Sequence, residues 1–156
     1  MRTFRWKRWL WCVVVTLGVL GLVACGGSKE KEGLFRGLSV EQVTVYDVSG
    51  GAYRVEGSTL VFDQPVEPLW ETKETAQVAA MLAPFAGWQA KEHTGQAIDL
   101  GGTVFVCFDD KVLVEYCGKI DELGYGYFGR IFAEGQCLSC DLPAAFGEAM
   151  EKLLGQ

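Results

Sequence analysis

The chain has 156 residues, with 14 Lys and Arg against 20 Asp and Glu, a formal net charge of -6 and a hydrophobic content of 49%. Arg2, Arg5, Lys7 and Arg8 all precede the first acidic residue, Glu30, so the rest of the chain carries 10 basic against 20 acidic residues, a formal charge of -10. That balance speaks against nucleic acid, whose affinity comes from Lys and Arg neutralising phosphates, and against adsorption to an anionic leaflet through basic clusters.

Met1–Arg8 is basic and aromatic, and Trp9–Ala24 is an apolar run of 16 residues. A membrane-spanning helix needs about 20, so the run has the length of a signal-peptide core. It stops at Leu22-Val23-Ala24-Cys25, where glycine, serine and charge take over. This order of basic, apolar, small and Cys resembles the lipobox of bacterial lipoproteins, in which a diacylglyceryl group is added to the Cys sulfur before signal peptidase II cuts ahead of it. The resemblance implies that residues 1–24 are a signal peptide and that Cys25 carries the lipid. It also implies a lipid-anchored protein on the extracytoplasmic face of a bacterial membrane. Gly26-Gly27-Ser28-Lys29-Glu30-Lys31-Glu32-Gly33 has no apolar residue to bury, and residues 25–38 read as a flexible tether. Residues 39–156 then form one domain, long enough for a single core.

Val43-Thr44-Val45-Tyr46-Asp47-Val48 is β-branched and stopped by Ser49-Gly50-Gly51, which predicts a strand and a turn. Tyr53-Arg54-Val55 and Thr59-Leu60-Val61-Phe62, separated by Gly57-Ser58, predict two more. From Thr72 the period changes. Val78, Met81, Leu82 and Phe85 mark one face of a helix, with Thr72 as its N-cap and Pro84 and Gly87 as its end.

Thr103–Phe108 and Val112–Cys117 flank Asp109-Asp110-Lys111 and predict a hairpin. A two-residue loop puts Cys107 and Cys117 on opposite faces; a three-residue loop puts them on one face but far apart. Neither register permits a disulfide between them. Tyr125–Phe132 predicts a further strand, which Glu134-Gly135 turns back into Gln136-Cys137-Leu138. Leu142, Phe146, Met150 and Leu153 then mark a second amphipathic helix, with Pro143 in its first turn and Asp141 or Ser139 as cap. The order β-β-β-α-β-β-β-α indicates an α+β fold: an antiparallel meander with two amphipathic helices on one face.

Six cysteines divide by position: Cys12 in the leader, Cys25 at the anchor, and Cys107, Cys117, Cys137 and Cys140 in the domain. An even four in an exported domain predicts disulfides, with three possible pairings, the alternative being that some stay as reduced, buried residues of valine size. Cys137-Leu138-Ser139-Cys140 ahead of a helix is the sharpest chemical motif, since a helix N-terminus lowers a thiol's pKa. It is read as a structural disulfide, as two unpaired strand cysteines, or as a thiol-disulfide redox pair. Four cysteines without two close pairs do not make a zinc site, and His93 alone anchors no hydrolase triad. Asp109-Asp110 is what a hairpin tip requires for turn chemistry. No cofactor fingerprint occurs. Tyr125 and Tyr127, together with Tyr116, form a candidate aromatic platform for a ligand, or else cover the second face of the sheet. The expectation is a membrane-anchored, non-catalytic lipoprotein that binds a protein or an envelope component, with a redox protein built on Cys137 and Cys140 as the alternative.

Overall fold

The computed structural model describes residues 34–91, 103–120 and 126–155, with eight strands and two α-helices. They are β1 Val43–Asp47, β2 Tyr53–Glu56, β3 Thr59–Phe62, β4 Trp70–Thr72, α1 Thr75–Leu82, β5 Val104–Phe108, β6 Val112–Lys119, β7 Tyr127–Ala133, β8 Gln136–Asp141 and α2 Ala144–Leu154. The fold is α+β. Six strands form one antiparallel sheet in the order β4-β1-β5-β6-β7-β8, and among the described residues β2 pairs only with β3.

Alternation along the strands makes three layers out of this topology. Val43, Val45, Val104, Val106, Phe108, Val112, Val114 and Ile131 point to one face, where Val78, Met81, Phe85, Phe146 and Met150 from the helical side cover them. The opposite face presents Phe105 and Leu113, which pack with Leu60, Val55 and Phe62 of the β2–β3 hairpin. Each strand of the centre is therefore buried on both sides. This is why β5 and β6 read as nearly continuous apolar runs and not as an alternation.

The sequence reading does not foresee β4 and runs the first helix through Phe85, whereas α1 ends at Leu82 and a 3-10 turn spans Ala83–Phe85; four further points differ. First, β2 and β3 do not extend the meander; they leave the sheet after β1 and fold over its second face. Second, Thr72 is not the N-cap of α1. It pairs with Val43 at the end of β4, and its hydroxyl accepts a hydrogen bond from the Glu74 N–H at 3.1 Å, so helix entry falls two residues later at Glu74. Third, Ser139 and Asp141 belong to β8 and cap nothing. The N-cap of α2 is Pro143, whose carbonyl accepts from the N–H groups of Phe146 and Gly147. Fourth, Leu34–Leu38 belongs to the domain and not to a tether. Phe35 is buried, stacked on Phe85 with ring centroids 4.0 Å apart and edge-on to Phe108 at 5.4 Å.

Two turns behave as their residues dictate. The β5–β6 connection has three residues, since Phe108 pairs with Val112. Between β7 and β8, Ala133 pairs with Gln136 and both Glu134 and Gly135 take positive φ, 51° and 72°, the type I′ pattern that matches strand twist. Among the described residues, no helix is long and apolar enough to cross a membrane.

Candidate functional site

On the hairpin side of the sheet, next to the β5–β6 turn, lies a cleft of about 280 Å³. Its floor is made by Thr44 and Cys107, which face each other across β1 and β5, with Tyr46 one step along the same face. The alternation of β1 puts them there: Val43 and Val45 point into the helical core, so Thr44 and Tyr46 point away from it. One wall is the hairpin tip, Ser58, Thr59 and Leu60. Ser58 donates its hydroxyl proton to the Asp110 carbonyl at 2.6 Å, which pins the tip to the β5–β6 turn.

The other wall is Gln42 and Asp109. Asp109 sits in the left-handed region, φ 49°, and its carboxylate accepts from the backbone N–H of Gln42 at 2.9 Å and of Glu41 at 3.2 Å. Lys111 pairs with it at 3.3 Å and also donates to the Ser39 carbonyl. Burial tends to raise the pKa of Asp109, but these N–H groups and Lys111 outweigh it and hold the carboxyl below its ordinary value. Asp109 is thus committed to fixing residues 39–42. Gln42 in turn donates from Nε2 to the Thr44 hydroxyl at 3.1 Å.

The Cys107 thiol is pushed up to about 12, first by burial and then by the charge of Asp110. At neutral pH it is an uncharged, weak hydrogen-bond donor and a poor nucleophile. Burial followed by the charges of Cys107 and Glu71 also raises the Tyr46 hydroxyl. The cleft therefore offers neutral hydroxyl, amide and thiol groups over its floor, with one exposed carboxylate, Asp110, at its rim. Such an array could hold a neutral ligand by hydrogen bonds. It supplies no activated nucleophile.

Further along the same face, Glu115 and Arg130 pair across β6 and β7. The guanidinium is bidentate, Nη2 to Oε1 at 2.7 Å and Nε to Oε2, and its bond to Glu115 raises its pKa. Tyr53 lies over Phe105 beside this pair, with ring centroids 5.1 Å apart. Its pKa is raised by burial and then by the Glu115 charge.

The residues singled out from sequence fall elsewhere. Leu22, Val23, Ala24, Cys25, His93 and Tyr125 lie outside the described residues. Tyr116 and Tyr127 are no open platform. Both point to the helical side and are buried under α2, where Gly147 admits the Tyr127 ring and the Tyr127 hydroxyl donates to Glu151 at 2.8 Å. The small residue that permits close approach is thus on the helix, while the aromatic is on the strand. The Tyr116 hydroxyl is buried with no hydrogen-bond partner among the described residues, and its pKa is pushed up to about 12 by burial and then by Glu151.

Among the described residues no disulfide joins Cys137 to Cys140, and Cys107, Cys137 and Cys140 are free thiols. Cys137 and Cys140 lie within β8, ahead of α2 by a further Leu142-Pro143, so the motif is not at a helix N-terminus. Three steps along a strand reverse the face and separate the Cα atoms by about 10 Å, beyond disulfide reach. Cys137 is exposed on the hairpin side, whereas Cys140 is buried in the helical core. Burial raises both thiols, Cys140 to about 12. Cys107 and Cys117 share a face, four residues apart in register, as a three-residue loop requires.

No family model matches the chain, and no curated protein or solved structure matches it. The cleft residues Gln42, Thr44 and Ser58 carry no motif. Their only signal in the sequence is the β1 alternation, which marks Thr44 and Tyr46 as facing away from Val43 and Val45.

Proposed function

We propose that the chain is a bacterial lipoprotein, anchored by a diacylglyceryl group on Cys25 to the extracytoplasmic face of the membrane, whose domain binds an envelope component without catalysis. The observation that carries the anchor is the sequence Leu22-Val23-Ala24-Cys25 at the end of a 16-residue apolar run that follows four basic residues. Support for a binding role comes from the cleft, whose neutral hydrogen-bonding groups are held in place by Asp109 and Ser58.

Metabolic labelling with an alkyne fatty acid tests the anchor. The wild-type chain takes up label and fractionates with membranes, and Cys25→Ala does neither; a Cys25→Ala chain that is still cleaved and labelled overturns the anchor. Crosslinking on intact cells tests the binding role, with capture of a cell-wall or other envelope component as the expected result.

A further inference from the structure

We propose that the cleft between the hairpin and the sheet is a carbohydrate site, taking one hydroxylated ring of an envelope glycan. The inference rests on the binding role above and gives it a ligand class. At about 280 Å³ the cleft is at the small end of ligand sites, the size for a single ring and not for a folded peptide segment or an acyl chain.

Its chemistry narrows the class. A sugar hydroxyl both donates and accepts, so its site needs groups of both kinds at fixed positions. Thr44 is buried and accepts from the Gln42 amide, so its own proton is directed elsewhere, and among the described residues no acceptor takes it. The same bond fixes the Gln42 carboxamide, whose carbonyl oxygen accepts no hydrogen bond among the described residues. Asp110 supplies an acceptor at the rim, and the Tyr46 ring with Leu60 offers apolar surface for the C–H face of a sugar.

Charge disfavours the competing classes. An anion such as phosphate would meet Asp109, Asp110 and an uncharged thiol, with Lys111 already held by Asp109 and the Ser39 carbonyl. A polycation would find Asp109 already neutralised by two N–H groups and Lys111, leaving one exposed carboxylate. Hydrogen bonds from a pre-oriented neutral array are what remains, and these are the terms on which a polyol binds.

The test is titration of the full chain in a sugar-free zwitterionic detergent, followed by calorimetry and by saturation transfer to the ligand protons. The probes are N-acetylglucosamine, its β-1,4 dimer and methyl α-glucoside, with spermidine and inorganic phosphate as charged comparators. At least one sugar should bind saturably. Thr44→Val and Gln42→Leu should each weaken it about tenfold, the effect of losing one well-placed hydrogen bond. Thr44→Ser should restore it, and Tyr127→Phe, on the opposite face, should leave it unchanged. Circular dichroism checks that each variant is folded. If no sugar binds while crosslinking still captures an envelope component, the carbohydrate assignment falls and the binding role stands. Spermidine or phosphate binding in place of sugars also overturns it. If the sugars bind but crosslinking captures no envelope component, the envelope role falls and with it the assignment of the sugar to an envelope glycan.

Discussion

Glu115 and Arg130 face each other across the β6–β7 pair, the carboxylate with no exposed surface and the guanidinium 42% exposed. The arrangement puts the desolvation penalty on one partner and leaves the other in contact with water. Removing Arg130 strands a buried anion, which costs 3–5 kcal/mol for a fully buried pair; the open guanidinium here reduces that to about 2 kcal/mol. Arg130→Met should therefore lower stability in urea by about that amount. The double variant Glu115→Met, Arg130→Met should be closer to wild type than Arg130→Met alone, and a double variant no better than the single one would show that the pair is not coupled.

The tyrosines under α2 predict opposite signs for the same chemical change. Tyr127→Phe removes a hydrogen bond to Glu151 and should cost about 1 kcal/mol, whereas Tyr116→Phe removes a buried hydroxyl that has no partner among the described residues and should be neutral or stabilising by about 1 kcal/mol. Urea midpoints of the two variants decide this.

At Gly147 a β-carbon would run into the Tyr127 ring. Gly147→Ala would gain about 1 kcal/mol of helix propensity in an open helix, but overpacking costs 1–3 kcal/mol, so the net change should be destabilising by about 1 kcal/mol. Thermal unfolding should show a lower Tm. Adding Tyr127→Leu should recover part of the loss, since it removes the ring that clashes.

Asp109 makes stability fall in acid. Its folded pKa lies below its unfolded value of about 3.8, so the stability it contributes is present above that value and is lost as pH falls through the folded pKa. The midpoint of thermal unfolding should drop below about pH 4, and Asp109→Asn should flatten that drop while lowering stability at pH 7. A variant with the same slope as wild type would mean that the clamp on residues 41–42 does not form.

Alkylation should follow exposure. Without reductant, iodoacetamide should modify Cys137 first, and Cys140 should react only after unfolding, because burial holds its thiol up at about 12. Peptide mapping by mass spectrometry reads the order. A Cys137–Cys140 disulfide in the native protein would contradict the strand that separates them.

Helices and central strands were legible because their spacing is the cause of their burial: Val78, Met81 and Phe85, and Phe146 and Met150, lie on the faces their periods mark. The hairpin's excursion over the second face was not legible, since Tyr53–Glu56 and Thr59–Phe62 carry the same strand signal whether they join the sheet or cover it. Cys137 and Cys140 misled for a related reason: the spacing suits a helix start, but the pairing of Phe132 with Cys137 and Gly129 with Cys140 extends β8 through both. Thr44, within β1, and Gln42, just ahead of it, gave no chemical signal because single polar residues in or beside a strand are ordinary until a second layer closes a cleft above them.

Phe35 has a mechanical consequence. A pull through the chain ahead of Leu34 should reach β1 only after drawing this ring off Phe85 and Phe108, and after breaking the bonds that Lys111 and Asp109 make to residues 39, 41 and 42. The segment works as a cable clamp. Under such a pull the aromatic plug and the turn should yield before the strands beneath the cleft lose register.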